Sequence, residues 1–71
     1  MIEFSRHARN KMRRFHITES DAIEVVTSPD TLATGRDGKP NALKAIGGRV
    51  IRAVYVIEHE KTIVVTIHPR D

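Results

Sequence analysis

The chain has 71 residues, no cysteine, and 12 Lys and Arg against 9 Asp and Glu, for a net charge of +3. That length accommodates one domain over residues 1–71, burying only about 60% of the surface its unfolded chain exposes. Disulfides and cysteine-based zinc sites are excluded, and the histidines at 7, 16, 59 and 68 lack tight ligand spacing, so no metal or cofactor is expected and stability falls to packing or a partner.

Ile2–Phe4 is a short apolar lead-in. Ser5 suits an N-cap, and Arg6 to Phe15 read as a helix free of Gly, Pro and β-branched residues. At about 100° per residue, Phe4, Ala8, Met12 and Phe15 form its buried stripe. His7, Lys11 and Arg14 line one shoulder of that stripe, while Arg6, Asn10 and Arg13 point outward. His16 serves the turn that follows. Thr18 to Asp21 has the form of a capping box with Asp in place of the usual Glu, and Ile17 and Ala22 hold the staple positions. Glu19 and Asp21 suit the positive end of a second helix, whose apolar side is Ala22, Ile23, Val25 and Val26. Pro29 stops it, because the residue before a proline avoids helical geometry.

From Thr31 the pattern becomes that of strands. Thr31–Gly35 is a short one, Asp37–Pro40 a hairpin-type turn, Asn41–Ile46 a second strand and Gly47–Gly48 a second turn. Neither turn precedes a helix, so neither has the amide cradle of a phosphate loop. Arg49–Ile57 is the strongest strand, with Ile51, Ala53, Tyr55 and Ile57 on one parity and Val50, Arg52, Val54 and Val56 on the other. His59–Lys61 turns the chain again, and Thr62–His68 is the last strand, ended by Pro69. Helices followed by strands predict an α+β fold, with two N-terminal helices packed on a four-stranded antiparallel meander sheet. The central strands are apolar on both parities. The second sheet face is therefore covered either by the helices wrapping round it or by another molecule.

Charge is unevenly spread. Residues 1–16 hold five Lys and Arg against Glu3, residues 17–30 four acids and no base, and residues 31–57 five bases, including Arg36, against Asp37. Two basic blocks on one face would suit a polyanion; the same pattern also describes ordinary solvated charge. Arg52, inside an apolar strand, requires an anion, either an internal one such as Glu24 or a ligand on an exposed face. If parity holds through the turns, Lys44, Thr66 and His68 share a side with Arg52, and Tyr55 faces the core. His68-Pro69-Arg70 is either part of a site rim or a fraying end.

A histidine titrating near neutrality can act as general acid or base, and neighbouring cations can stabilise charge on a phosphate. The spacing of His7, Lys11 and Arg14 permits metal-free RNA cleavage and equally fits a solvated helix flank. Phe4, Phe15 and Tyr55 are the only aromatics, so RNA contact would run through phosphates rather than stacked bases. No apolar run approaches the roughly 18 residues of a membrane span, and residues 1–16 lack a signal-type apolar core, so a cytoplasmic protein without a membrane partner is expected.

Three stretches resemble the DUF4258 family in order and across nearly the whole chain: Phe4-Ser5-Arg6-His7-Ala8-Arg9, Arg13 through Ile23, and Ile63-Val64-Val65-Thr66-Ile67-His68-Pro69, with a basic Gly-containing hairpin between the last two. The resemblance implies the compact fold of RelE/ParE-type and related RNase toxins. It implies functional positions at His7, Arg14 and Thr66, with Arg52 where related toxins carry a basic residue on the sheet. His68 would fill the place that many of them give to a C-terminal Tyr or His.

The expectation is a toxin-like, metal-independent endoribonuclease of a toxin–antitoxin system. His7, Arg14, Arg52 and His68 would be catalytic, and Lys11, Lys44, Arg49 and Arg70 would bind RNA, ribosome-associated mRNA included. Expected partners besides RNA are an antitoxin-like protein or a second copy of the chain. The alternatives are a non-catalytic RNA- or protein-binding module using the same basic face, or a ParE-like inhibitor of a protein target.

Overall fold

The computed structural model describes residues 1–35 and 37–70; Arg36, counted in the second basic block, lies outside them. The elements run β1 (Ile2–Phe4), α1 (Arg6–Phe15), α2 (Glu19–Thr27), β2 (Thr31–Thr34), β3 (Pro40–Ile46), β4 (Arg49–Glu58) and β5 (Lys61–Arg70). The fold is α+β with two helices, but the sheet has five strands, in the order β1-β5-β4-β3-β2, and it is mixed. The apolar lead-in is itself a strand, pairing in parallel with β5 from Ile2 opposite Thr62 to Phe4 opposite Val64.

Both helices form where their caps dictate. The Ser5 hydroxyl accepts from the Ala8 N–H at 3.0 Å and donates to the Val65 carbonyl at 2.7 Å, so one side chain starts α1 and ties it to β5. At the other end His16 takes the left-handed conformation, with φ 55°. Its N–H reaches the Arg13 carbonyl, and the Ile17 N–H reaches that of Met12 at 2.8 Å. This is a Schellman closure, and Ile17 and Met12 are both buried beside it. Thr18 caps α2 through the Asp21 N–H at 3.0 Å. Among the described residues the reciprocal bond, from the Thr18 N–H to the Asp21 carboxylate, is not made.

The core lies between the helices and one sheet face. Ala8, Met12, Ala22 and Val25 of the helices meet Ala42, Ile51, Ala53, Tyr55, Val64 and Ile67 of the sheet, with Ile51, Ile67, Val25 and Val64 its largest fully buried side chains. Burying an Ile or Val contributes about 1.5–3 kcal/mol. The alanines at 8, 22, 42 and 53 leave room for the helices to approach closely. Phe4 and Phe15 pack at the margin, beneath the cations of Arg9 (5.3 Å), Lys11 (5.7 Å) and Arg14 (5.4 Å).

Register decides which residues share a face. Gly47 and Gly48, with φ 61° and 84°, make a two-residue turn that sets Ile46 opposite Arg49. Across such a turn even-numbered residues face odd-numbered ones, so Lys44 pairs with Ile51 on the helix side. The expectation that Lys44 would join Arg52 is thereby corrected. His59 and Glu60 make a second turn of this kind, pairing Glu58 with Lys61, but the register slips by one residue between Val54 and Tyr55. Val65 is the extra residue of that bulge, and beyond it even faces even: Arg52 lies opposite His68, and Val50 opposite Arg70.

β5 continues through Pro69 to Arg70. Pro69 does not end it, because the strand has no outer neighbour past the short β1, and an edge tolerates a residue without an N–H. Among the described residues no helix is long and apolar enough to cross a membrane.

Candidate functional site

The sheet face away from the helices is bare. Val50 is 39% exposed, and Leu43, Val54, Val56 and Ile63 are partly so. Thus neither helix wraps round the sheet. Arg52, half-buried, stands in the middle of this face.

Among the described residues its guanidinium is held from one side. Nε donates to Asn41 Oδ1 at 2.8 Å, and Asn41 Nδ2 donates to the Lys39 carbonyl at 3.0 Å. Asn41, 4% exposed, is the buried polar residue of the described chain. Among the described residues no carboxylate answers Arg52: Glu24 lies across the sheet beside Lys44. Among the described residues nothing accepts from the two terminal nitrogens of Arg52, which are left as a planar fork, the geometry that matches two oxygens of a phosphate or carboxylate.

Two hollows meet at this arginine. One, of about 220 Å³, has Thr34, Leu43 and Arg70 in its walls. The other, of about 590 Å³, is bounded by Lys39, Val54 and Thr66. Gly35, Asn41 and Arg52 belong to both. His68 is in register with Arg52, with its Nδ1 3.2 Å from the Pro69 carbonyl, and it shares a shallow hollow with Lys11, Phe15 and Arg70 at the free edge of β5.

The eight candidate residues fall into three groups. Arg52, His68 and Arg70 come together on the bare face and its edge. His7 and Arg14 are exposed on α1, in the helix layer on the other side of the sheet, so no common surface unites them with Arg52; Lys11 of the same helix reaches the β5 edge. Lys44 and Arg49 serve the helix ends. Arg49 donates to the carbonyls of Phe15 (2.6 Å) and His16 (2.9 Å), satisfying the C-terminus of α1. Lys44 donates to the Ser28 carbonyl at 2.8 Å, past the end of α2, beside Asp30 (3.5 Å) and Glu24 (3.9 Å).

Asp30 is held below the ordinary aspartate range, chiefly by the Ala45 N–H donating to it at 3.0 Å; burial opposes this, and the charge and hydrogen bond of Lys44 lower it further. Asp37 is lowered by its bonds from the Lys39 side chain (2.8 Å) and backbone N–H (3.1 Å). Among the described residues no cluster of three His, Asp or Glu side chains forms a metal site.

Asn41 and Gly35 were not among the residues singled out in the sequence. The available signal was a polar residue inside an apolar strand, two places from the position facing an equally misplaced arginine.

Comparison with curated proteins and with solved structures gives no match. The family described as "Domain of unknown function (DUF4258)" matches residues 4–69, a span that includes both helices, Arg52 and His68. The chain belongs to the DUF4258 family.

Proposed function

We propose that the protein binds RNA through its phosphates on the bare sheet face, and that it is a RelE/ParE-like, metal-independent endoribonuclease whose chemistry belongs to that face rather than to α1. The observation that carries this reading is the fork of Arg52, tethered at Nε and, among the described residues, unanswered at its terminal nitrogens. A guanidinium presented this way in a concave surface is suited to a phosphodiester, and Arg70 adds a second cation on the same side.

In such a site the RNA 2′-hydroxyl oxygen attacks the adjacent phosphorus while His68 accepts its proton. The phosphorus–O5′ bond breaks, and O5′ takes a proton from the imidazolium so formed or from water. A 2′,3′-cyclic phosphate and a 5′-hydroxyl result. Arg52 supports the charge on the phosphoryl oxygens as the transition state becomes crowded. His7 and Arg14, across the sheet, have no part in the step.

A second reading has its own support. The valines at 50, 54 and 56 leave an apolar strip on the bare face, which suits a protein surface, whether an antitoxin-like partner or the target of a ParE-like inhibitor.

The test is incubation of the purified protein with total RNA beside His68→Ala and His7→Ala. Cleavage abolished by the first and untouched by the second supports the nuclease. RNA bound but left intact by all three reduces the function to a binding module. Growth arrest on expression with neither cleavage nor binding favours the protein-target reading.

A further inference from the structure

We infer that Gly35 and Asn41 preset Arg52 to grip the one phosphate that joins two nucleosides of a single RNA strand, with one nucleoside in each of the hollows that meet at Arg52. The inference rests on the RNA reading above and adds a footprint and two positioning residues to it.

The relay has a single arrangement. Asn41 uses its oxygen toward Arg52 Nε and its amide nitrogen toward the Lys39 carbonyl. Turning the amide over would set donor against donor at Arg52 and acceptor against acceptor at Lys39. The same carbonyl receives the Gly35 N–H at 2.8 Å, which binds the relay to the β2–β3 hairpin. Gly35 matters because it has no side chain: a Cβ there would lie 2.6 Å from Asn41 Nδ2. The hairpin therefore admits the amide only beside glycine, and the amide in turn orients the guanidinium.

With Nε occupied, the ligand must meet the two terminal nitrogens end-on. The hollows then distinguish an internal phosphodiester from a terminal anion. A peptide's C-terminal carboxylate has chain on one side only and would fill one hollow. A phosphodiester has a nucleoside on each side and fills both. Arg70 beside the smaller hollow continues positive charge along the path of a strand with repeating phosphates, whereas Lys39 beside the larger one is paired at 2.8 Å with Asp37 of the same wall.

The test uses the full chain and three probes: inorganic phosphate, a dinucleoside monophosphate, and a short single-stranded RNA of mixed sequence, the last two carrying 2′-O-methyl groups to prevent cleavage. In amide NMR spectra the dinucleoside monophosphate is expected to shift Thr34 and Leu43 together with Val54 and Thr66, whereas inorganic phosphate perturbs only the surroundings of Arg52. For the longer RNA, Arg52→Ala should weaken binding roughly tenfold and lower the salt slope by about 0.7, the value of one single-strand phosphate contact. Asn41→Ala and Gly35→Ala should each weaken binding roughly fivefold with the slope unchanged, as expected of residues that orient a contact without making it.

Asn41→Asp retains a partner for Nε but, like the turned amide, sets an acceptor against the Lys39 carbonyl, so its fold is checked by its amide NMR spectrum and by denaturant unfolding before binding is compared. It neutralises the fork, so it should lower both affinity and slope. RNA binding that shifts only α1 residues, or that is indifferent to Asn41 and Gly35, overturns this inference and leaves the RNA reading standing. No binding of the longer RNA overturns both.

Discussion

Arg52 and His68 face one another across β4 and β5 only because the pairing slips by one residue at Val65. Without the slip, the two-residue turn at His59–Glu60 would set Arg52 opposite an odd-numbered residue and turn His68 to the helix side. The bulge carbonyl is taken by the Ser5 hydroxyl, the same group that caps α1. A helix start and the alignment of the candidate site thus share one side chain.

Ser5→Ala should therefore cost about 1–2 kcal/mol, the loss of a cap together with a half-buried hydrogen bond. Denaturant unfolding measures the cost. Amide exchange near Val65 should accelerate more than exchange at the centre of β4, because the bulge loses its outer tether.

Arg49→Ala should lower stability by about 1–2 kcal/mol through the uncapped carbonyls of Phe15 and His16. In a domain of this size that corresponds to roughly 4–16 °C in Tm. The salt dependence of RNA binding should not change. A lower salt slope for this variant would return Arg49 to the RNA-contacting set.

The helices were legible because their signals are local: Ser5 and Thr18 cap them, and Pro29 halts the second. The sheet was less so. Ile2–Phe4 is too short to show alternation, and its partner strand starts some sixty residues away, so no local pattern announces a parallel pairing. Lys44 was misassigned because numerical parity is inverted by a two-residue turn; His68 was placed correctly only because the bulge inverts it a second time. Arg49 and Lys44 look like any surface cations in sequence, since helix-end carbonyls leave no trace in composition. For the site, an arginine inside an apolar strand was a usable signal, whereas the amide that orients it became apparent only with the register of β3.

The turn at His59–Glu60 offers a gain in stability. Both residues hold positive φ, 48° and 64°, where side chains are disfavoured. Glu60→Gly removes that cost at the price of extra freedom in the unfolded chain, and a net stabilisation of about 0.5–1 kcal/mol is expected in denaturant unfolding. RNA binding, on the opposite end of β4, should be unaffected.

Asp30 predicts the response to acid. Its folded-state carboxyl titrates below its unfolded value, so its contribution to stability is present above the ordinary aspartate range and is lost as pH falls through the lowered folded value. Carboxyl NMR titration should place Asp30 below the ordinary aspartate range. Lys44→Ala should raise it only part of the way, because the Ala45 N–H is the larger cause. Complete return to the ordinary range in that variant would assign the effect to the lysine instead.

The most direct measurement is the binding of single-stranded RNA by Arg52→Ala and by Arg14→Ala across a salt series, each checked for an unchanged fold. The account predicts that loss of the sheet arginine weakens binding roughly tenfold and flattens the salt dependence, while loss of the helix arginine does little. Wild-type affinity and slope in Arg52→Ala, with both reduced in Arg14→Ala, would contradict it and move the interface to α1.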